Sequence, residues 1–473
     1  MISTLILARL LVPEDFGIIA IVSLVIAFVE RISETGAADY IIQKSEVTKD
    51  DLDTAWTLNL LLRVGVLLFV YFFAPLIALF YDDPRLTDAT RVLAFVLLFG
   101  ALVSPQIFLD QRERNYKRIF AVNLLTKMFS VAGTIALALH FRSYWALVFG
   151  QILAAGLKFI FSYIFMWYSP RICLRKVKDQ IVFSQWLLLK SVFGWARSQI
   201  DTILVSTKFA ESDLGGYHVS KYLAFIPGSD ILTLGMSPLL ASFSSVQSRK
   251  ENLLYQIEFA LIILFLIAYP LASLLFFSAF EINQIILGEK WIAYVNIFAL
   301  LSLSCVTMPL VNFSTSILYV VKRPKEAFFF DVISMVLMVS ILYFPSFSNL
   351  THFVVAKVSF DLVAAHSYLV FSLRRAELQN WSRVIKIFLT SAILAILIGI
   401  FVKQVVVMDN VLLSGSVKIL LYVMLWIMAL KMIFLLYLKS TPIGFHIEYL
   451  QNRVLGRWAK FGIFKNQPRS FSL

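Results

Sequence analysis

The sequence predicts an all-α polytopic membrane protein with about fourteen transmembrane helices, and three observations lead there. Hydrophobic residues make up 60% of the 473 and charged residues only 15%, against about 45–50% and 25% in soluble domains. Mean hydropathy is +0.82, and apolar residues fall in runs of roughly twenty, the length that crosses a hydrocarbon core of about 30 Å. Lys and Arg outnumber Asp and Glu by 42 to 29, a balance of +13. These cations gather in short loops between apolar runs, not in the surface patch a nucleic-acid partner would need.

The first run, 2–11, is half the length of a span and is closed by Pro13. We read it as the second half of a helix that begins upstream of Met1. Full spans follow at 17–33, 54–80, 90–109, 120–139 and 145–167. A second set lies at 187–206, 215–240, 255–280, 295–321, 328–344 and 353–373. Two more, 385–406 and 417–438, close the hydrophobic region. After Lys439, the positions Ile447, Leu450, Val454, Trp458 and Phe461 share a helical face beside Arg453, Arg457 and Lys460. That pattern suits a basic amphipathic helix lying on an anionic leaflet.

Short cytoplasmic loops accumulate Lys and Arg. One side of these spans holds Lys44 and Lys49, the Arg112 to Arg118 loop, Arg171 to Lys178, Arg249 and Lys250, Lys322 to Lys325, Arg374 to Lys386 and the tail. The other side holds only Arg9, Arg85, Arg91, Arg142, Lys208, Lys290 and Lys403. The C-terminus is therefore expected in the cytoplasm.

An internal repeat shows in two short motifs. Pro13-Glu14-Asp15-Phe16-Gly17 is echoed by Glu211-Ser212-Asp213-Leu214-Gly215, 198 residues on from Gly17 to Gly215 (215 − 17). Asp83-Pro84-Arg85 is echoed by Gly288-Glu289-Lys290-Trp291 at a similar offset. Six spans per repeat would give two halves of parallel topology.

The same residues carry a family resemblance. Leu7-Ala8-Arg9-Leu10-Leu11-Val12 leading into that first motif, then Gly36, Ile41-Ile42-Gln43-Lys44 and Asp51-Leu52-Asp53-Thr54-Ala55-Trp56, resemble the opening of the polysaccharide-type flippases. These belong to the multidrug/oligosaccharidyl-lipid/polysaccharide (MOP) superfamily, and the likeness is to the Wzx branch with colanic acid and teichuronic acid exporters. Ser104-Pro105-Gln106, Gln111-Arg112, Gln199-Ile200-Asp201, Leu214-Gly215-Gly216-Tyr217 and Leu287 to Trp291 extend the match. The chain departs from the family in lacking the first half-helix and in its 43 Phe. The resemblance implies two six-helix bundles in a MATE-like pseudo-two-fold arrangement around a central cationic cavity, with two extra C-terminal helices. On that reading the lobes are residues 1–170 and 187–374, with 171–186 as a cytoplasmic linker, 375–438 as the added helices and 439–473 as the tail. It further implies export of undecaprenyl-diphosphate-linked glycan across a bacterial inner membrane, for O-antigen, capsule or exopolysaccharide, by alternating access. Membrane lipids, a polysaccharide polymerase and chain-length proteins would be the partners. No cofactor motif is present.

Charges inside spans are costly, about 2.5–3.5 kcal/mol each on insertion scales, so they mark a cavity or a partner. Lys190, Gly194, Arg197, Asp201 and Lys208 fall on one face of the seventh span. Arg197 and Asp201 at i, i+4 also admit a simple structural pair. Asn123, Lys127, Ser130 and Thr134 make a similar stripe in the fifth span, where small polar residues also serve ordinary packing. Asn59 and Arg63 stand one turn apart in the third, and Arg63 also reads as a snorkelling end residue. Arg31 and Glu34 close the second, and Lys221 sits near His218 and Tyr222 in the eighth. Asp331, Lys357 and Asp361 lie further on, the last two at pair spacing. The cavity candidates are Lys190, Arg197, Asp201, Lys221, Arg63, Lys127, Arg31 and Glu34. A diphosphate suits such cations, Arg as a fork of donors and Lys as a mobile point charge. Pro105, Pro227, Pro238, Pro270 and Pro309 interrupt spans as packed kinks or as bending points.

Two other functions compete. A cation-coupled multidrug exporter of the same superfamily would place acids in its cavity, whereas cations match or exceed acids on these faces. A membrane glycosyltransferase or polymerase would need an acidic pair such as Asp82-Asp83 and a long outer loop. The loops are short, and Asp82-Asp83-Pro84 reads as a turn. Cys173 and Cys305 are too far apart in sequence to suggest a disulfide framework or zinc motif.

Overall fold

The structure, a computed structural model, describes residues 2–34, 36–44, 46–233, 243, 250–378 and 381–439; the side chains of 2–5, 38, 182–190, 230–231 and 250 fall outside that description. The protein is all-α over these residues, and helix covers each of the fourteen expected spans in whole or in part. The amphipathic tail and Pro238 lie outside the described residues.

The first eleven helices are α1 (Ile2–Leu10), α2 (Pro13–Ile32), α3 (Ala37–Gln43), α4 (Lys49–Tyr81), α5 (Arg85–Leu93), α6 (Phe95–Ala101), α7 (Gln106–Arg112), α8 (Tyr116–Phe141), α9 (Trp145–Phe165), α10 (Val177–Lys208) and α11 (Glu211–Ile226). Local chemistry sets their ends. Pro13 opens α2, where its missing N–H is no loss. The Thr48 and Asp51 side chains cap each other's backbone at the start of α4 (Thr48 N to Asp51 Oδ2 2.9 Å). Asp82 and Arg142, in left-handed backbone at φ 53° and 47°, end α4 and α8.

The remaining helices are α12 (Lys250–Phe277), α13 (Ala279–Ile286), α14 (Val295–Ser302), α15 (Ser304–Val320), α16 (Pro324–Tyr343), α17 (Leu350–Arg375), α18 (Trp381–Val405) and α19 (Val411–Ile433). Gly288, at φ 93°, starts a 3₁₀ turn over Glu289–Tyr294. π turns follow α11 at Pro227–Thr233 and α19 at Phe434–Leu438.

The structure refines the expected spans. The span 90–109 is three helices, α5 to α7, with a 60° bend between the α5–α6 run and α7. Pro105 sits at that break and cannot donate to the preceding turn. The short helix α3 was not anticipated. Among the described residues nine helices, or ten with the bent pair, are long and apolar enough to cross a membrane. Charges such as Glu14, Asp15, Glu30 and Arg31 keep α2 below that standard, as Arg197, Asp201 and Lys208 do for α10.

Contacts divide the chain into two units. Unit 1 is Met1–Leu223, Asn283–Phe298 and Met335–Lys357; unit 2 is Ala224–Ile282, Ala299–Ser334 and Val358–Leu473. In unit 1, α8 and α9 form an antiparallel hairpin in which Gly133 meets Leu153 and Gly150 meets the Thr134 side chain. In unit 2, α12 runs against α18, with Gly399 packed on Phe277 and Ser273 Oγ donating 2.6 Å to the Ala395 carbonyl. Polar ties join the helices of this unit: Arg383 of α18 to Glu258 of α12 at 2.9 Å, Tyr269 of α12 with His366 of α17 at 2.5 Å, and Lys418 of α19 with Glu281 of α13. Ser414 is buried there, 3.4 Å from Glu281.

Candidate cargo cavity

Unit 1 holds two neighbouring chambers. The larger, about 600 Å³, is lined by Glu30, Glu34 and Asp39 near the end of α2 and the start of α3, by Trp56, Asn59 and Arg63 of α4, and by Gln111, Thr126, Gln151, Ala154 and Lys158. The smaller, about 300 Å³, is lined by Phe16 and Ser23 of α2, Lys127, Ser130 and Thr134 of α8, and His218 and Tyr222 of α11. Gln151 and Ala154 line both, so the chambers lie side by side along one face of α9. That face follows from steps of three and four residues from Gln151 to Lys158, which a helix brings to one side.

Several sequence candidates meet here. Arg63 lies 3.5 Å from Glu30 and over Gly100, where an added Cβ would fall 2.3 Å from its guanidinium. Glu34 pairs with Arg31 at 3.2 Å, both side chains about half exposed, and also accepts from Ser191 Oγ at 3.0 Å. Lys127, Ser130 and Thr134 of the fifth-span stripe all reach the smaller chamber. The lining is mixed in charge: Arg63, Lys127 and Lys158 face Glu30, Glu34 and Asp39. Lys158, Glu30 and Asp39 were missed as candidates because each span was read alone; the period from Gln151 to Lys158 was the available signal.

Asp201 and Lys221 meet in a different place. Asp201 is buried at 4% exposure, and Lys221 Nζ stands 2.8 Å from its Oδ1. Tyr217 OH donates 2.5 Å to Oδ2, and Lys357 of α17 stands 3.8 Å from it. A cation from α11 and one from α17 thus share this carboxylate, in place of the i, i+4 partner Arg197 that spacing suggested. The Lys190 side chain lies outside the described residues.

At the α2 N-terminal end the two repeat motifs pack on each other. A Cβ on Gly17 would fall 2.2 Å from the Glu211 carbonyl oxygen, and one on Gly215 would fall 1.8 Å from the Pro13 carbonyl oxygen. Pro13 and Glu211 are equivalent positions of the repeat, so the contact is reciprocal, and only glycine allows backbones this close. The second pair of echoes crosses over in the same way. Arg85, beside Asp83, reaches Glu211 at 2.6 Å. Trp291 Nε1 donates 2.8 Å to the Ala8 carbonyl, and Lys290 Nζ lies 3.4 Å from that of Arg9. Arg9 in turn donates to the Ile285 and Ile286 carbonyls. Phe16, which lines the smaller chamber, stacks edge-on against Trp291 at 5.3 Å. The smaller chamber therefore borders this crossing at Phe16.

Residues 6–296 match the model of a family described as polysaccharide biosynthesis protein. The chain belongs to this family. It is 24% identical over 337 residues to the lipopolysaccharide biosynthesis protein WzxC of Escherichia coli, covering 69% of this chain and 67% of that one. It is 26% identical over 316 residues to the teichuronic acid biosynthesis protein TuaB of Bacillus subtilis, covering 64% of each. The solved structure of the lipid II flippase MurJ in an inward closed conformation aligns with a TM-score of 0.74 at 14% identity, over 92% of this chain and 96% of that one. An inward-facing multidrug MATE transporter of the MOP superfamily aligns at 0.60 and 14% identity, over 79% and 93%. The all-α polytopic fold of these transporters is thus shared, and the chain is a multi-pass membrane protein of this polysaccharide biosynthesis family.

Proposed function

We propose that this protein moves an undecaprenyl-diphosphate-linked oligosaccharide across the bacterial cytoplasmic membrane by alternating access, six-helix lobes at 1–170 and 187–374 rocking about the cavity. The observation that carries the reading is a pair of chambers lined by charged and hydroxyl side chains, the smaller bordering the Gly17–Gly215 crossing at Phe16. Polar groups at membrane depth need such a lining to be tolerated. A cargo with a charged head and a sugar chain needs a polar path, while its prenyl tail can stay in lipid. The relatives named for lipopolysaccharide and teichuronic acid biosynthesis, and the fold shared with a lipid II flippase, support this cargo class. The charge asymmetry puts the Lys44 and Arg112 end in the cytoplasm, so the cavity faces the side where the repeat unit is built.

Complementation tests the reading: the protein should restore polymer export in a strain lacking its own flippase, without changing synthesis of the lipid-linked unit. Sidedness has its own test in single-cysteine variants. Ser346 and Asp409 are exposed and should label from outside, whereas Arg114, also exposed, should label only after permeabilisation. Buried Ser414, though in the same predicted region, is a poor reporter. The inverse pattern would reverse the orientation.

A further inference from the structure

We propose that the strap joining α9 to α10, together with the adjoining start of α8, is a docking surface for anionic phospholipid headgroups of the bilayer. Between Phe165 and Val177 the chain is not helical and runs along the first turns of α4. The buried side chains of Asp53, Thr54 and Thr57 take up its backbone there. Asp53 Oδ1 accepts from Arg171 N at 3.2 Å and from Tyr168 OH at 2.9 Å. Thr57 Oγ1 accepts from Cys173 N at 3.1 Å, and Thr54 Oγ1 from Lys176 N at 3.4 Å. With these N–H groups turned to α4, other side chains of the strap are left outside: Trp167 is 77% and Ile172 82% exposed, and Arg171 is exposed between them.

The α8–α9 hairpin brings a second group to the same level. Gly150 packs on Thr134 and so sets the register of the two antiparallel helices. Phe120 lies fourteen residues before Thr134 (134 − 120) and Phe165 fifteen after Gly150 (165 − 150). At about 1.5 Å per residue, the two stand within roughly 2 Å of the same height. Arg114, Tyr116 and Lys117, all exposed, therefore lie at the end of the hairpin that carries the strap.

The chemistry of this end selects the occupant. Exposed apolar stripes, Phe120, Leu124 and Met128 on α8 and Ile160 and Ile164 on α9, run without a break into Tyr116 and Trp167. Steps of three and four keep each stripe on one side of its helix, and Tyr and Trp at the end of a lipid-facing stripe belong at headgroup depth. Arg114, Lys117 and Arg171 stand just beyond, where a negative headgroup meets them. Arg118 and Arg175 add positive charge but are each paired, with Asp110 at 3.8 Å and Asp50 at 3.1 Å. The exposed carboxylates nearby, Glu113 and Asp179, are fewer than the exposed cations. A soluble acidic partner would account for the cations but not for apolar stripes continuous with them.

Binding of dioleoyl phosphatidylglycerol to the purified full-length protein in neutral detergent, with dioleoyl phosphatidylcholine as control, tests the surface. The parent should bind phosphatidylglycerol about tenfold more tightly or better. Lys117→Gln and Arg171→Gln should each weaken that binding about fivefold, the contribution of one cation close to an anionic surface. Phosphatidylcholine binding and the melting temperature should not move, since both side chains are exposed. Arg142→Asn removes an exposed cation at the other end of the hairpin; it should change phosphatidylglycerol binding by less than about twofold, because charges so far apart are screened. Equal binding of the two lipids by the parent, or unchanged phosphatidylglycerol binding in both Gln variants, would overturn the proposal and leave the cations to an acidic protein partner. A loss in Arg142→Asn as large as in Lys117→Gln and Arg171→Gln would overturn it in favour of net charge alone.

Discussion

Gly215→Ala should open the Gly17–Gly215 crossing. The new methyl would sit 1.8 Å from the Pro13 carbonyl oxygen and 2.8 Å from the Gly17 nitrogen, both backbone atoms that cannot swing aside. The N-termini of α2 and α11 must then part by more than an ångström. Overpacking of this kind costs about 1–3 kcal/mol, enough to shift a closed–open equilibrium by roughly 5- to 150-fold. A cysteine at Thr134, in the smaller chamber, should become reachable from outside, and export should fall at normal membrane expression. Gly17→Ala should act alike, and the double variant should be little worse than either single, because one separation relieves both clashes. Gly65→Ala is the control, since a Cβ there meets nothing within 4 Å. Unchanged Thr134→Cys labelling in the Gly215→Ala background would refute this role for the crossing.

Asp201→Asn should be among the most destabilising single changes in unit 1. It removes the carboxylate that Lys221 and Lys357 share while both ammonium groups remain buried, with side-chain exposures of 13% and 5%. Breaking a buried ion pair from one side costs about 3–5 kcal/mol, visible as loss of folded protein after extraction. A second change, Lys221→Met, should recover part of the loss, whereas Arg197→Ala should recover none. Recovery by Arg197→Ala would restore the helical pair that spacing suggested. Failure of both to recover the fold would leave Lys357 as the dominant partner.

How much was legible follows from how far each interaction reaches along the chain. Hydrophobic runs are local, so the spans were readable, and Pro105 marked the break that splits α5–α6 from α7. The repeat motifs were readable as patterns, but their reciprocal packing was not, because spacing carries no information about which backbones touch. Asp201 shows the same limit. Its nearest opposite charge in sequence, Arg197, lies one turn away, but its ammonium partners stand on α11 and α17. Lys158 shows the opposite case: its spacing from Gln151 and Ala154 puts it on the chamber face of α9, a signal that reading each charge by itself passes over. The expectation of a cationic cavity proved too simple at Glu30, Glu34 and Asp39, whose carboxylates share the larger chamber. Two of them are tied to Arg63 and Arg31, and such ties become visible only when helices meet.

The most direct measurement is transbilayer movement of a fluorescent undecaprenyl-diphosphate-linked oligosaccharide in proteoliposomes of the full-length protein, read by quencher access to the outer leaflet. The account predicts movement well above that in protein-free vesicles, strongly reduced by Lys127→Gln with Lys158→Gln and by Gly215→Ala, and unaffected by Gly65→Ala. Movement no faster than in protein-free vesicles, or movement that ignores these cavity and crossing substitutions, would contradict it.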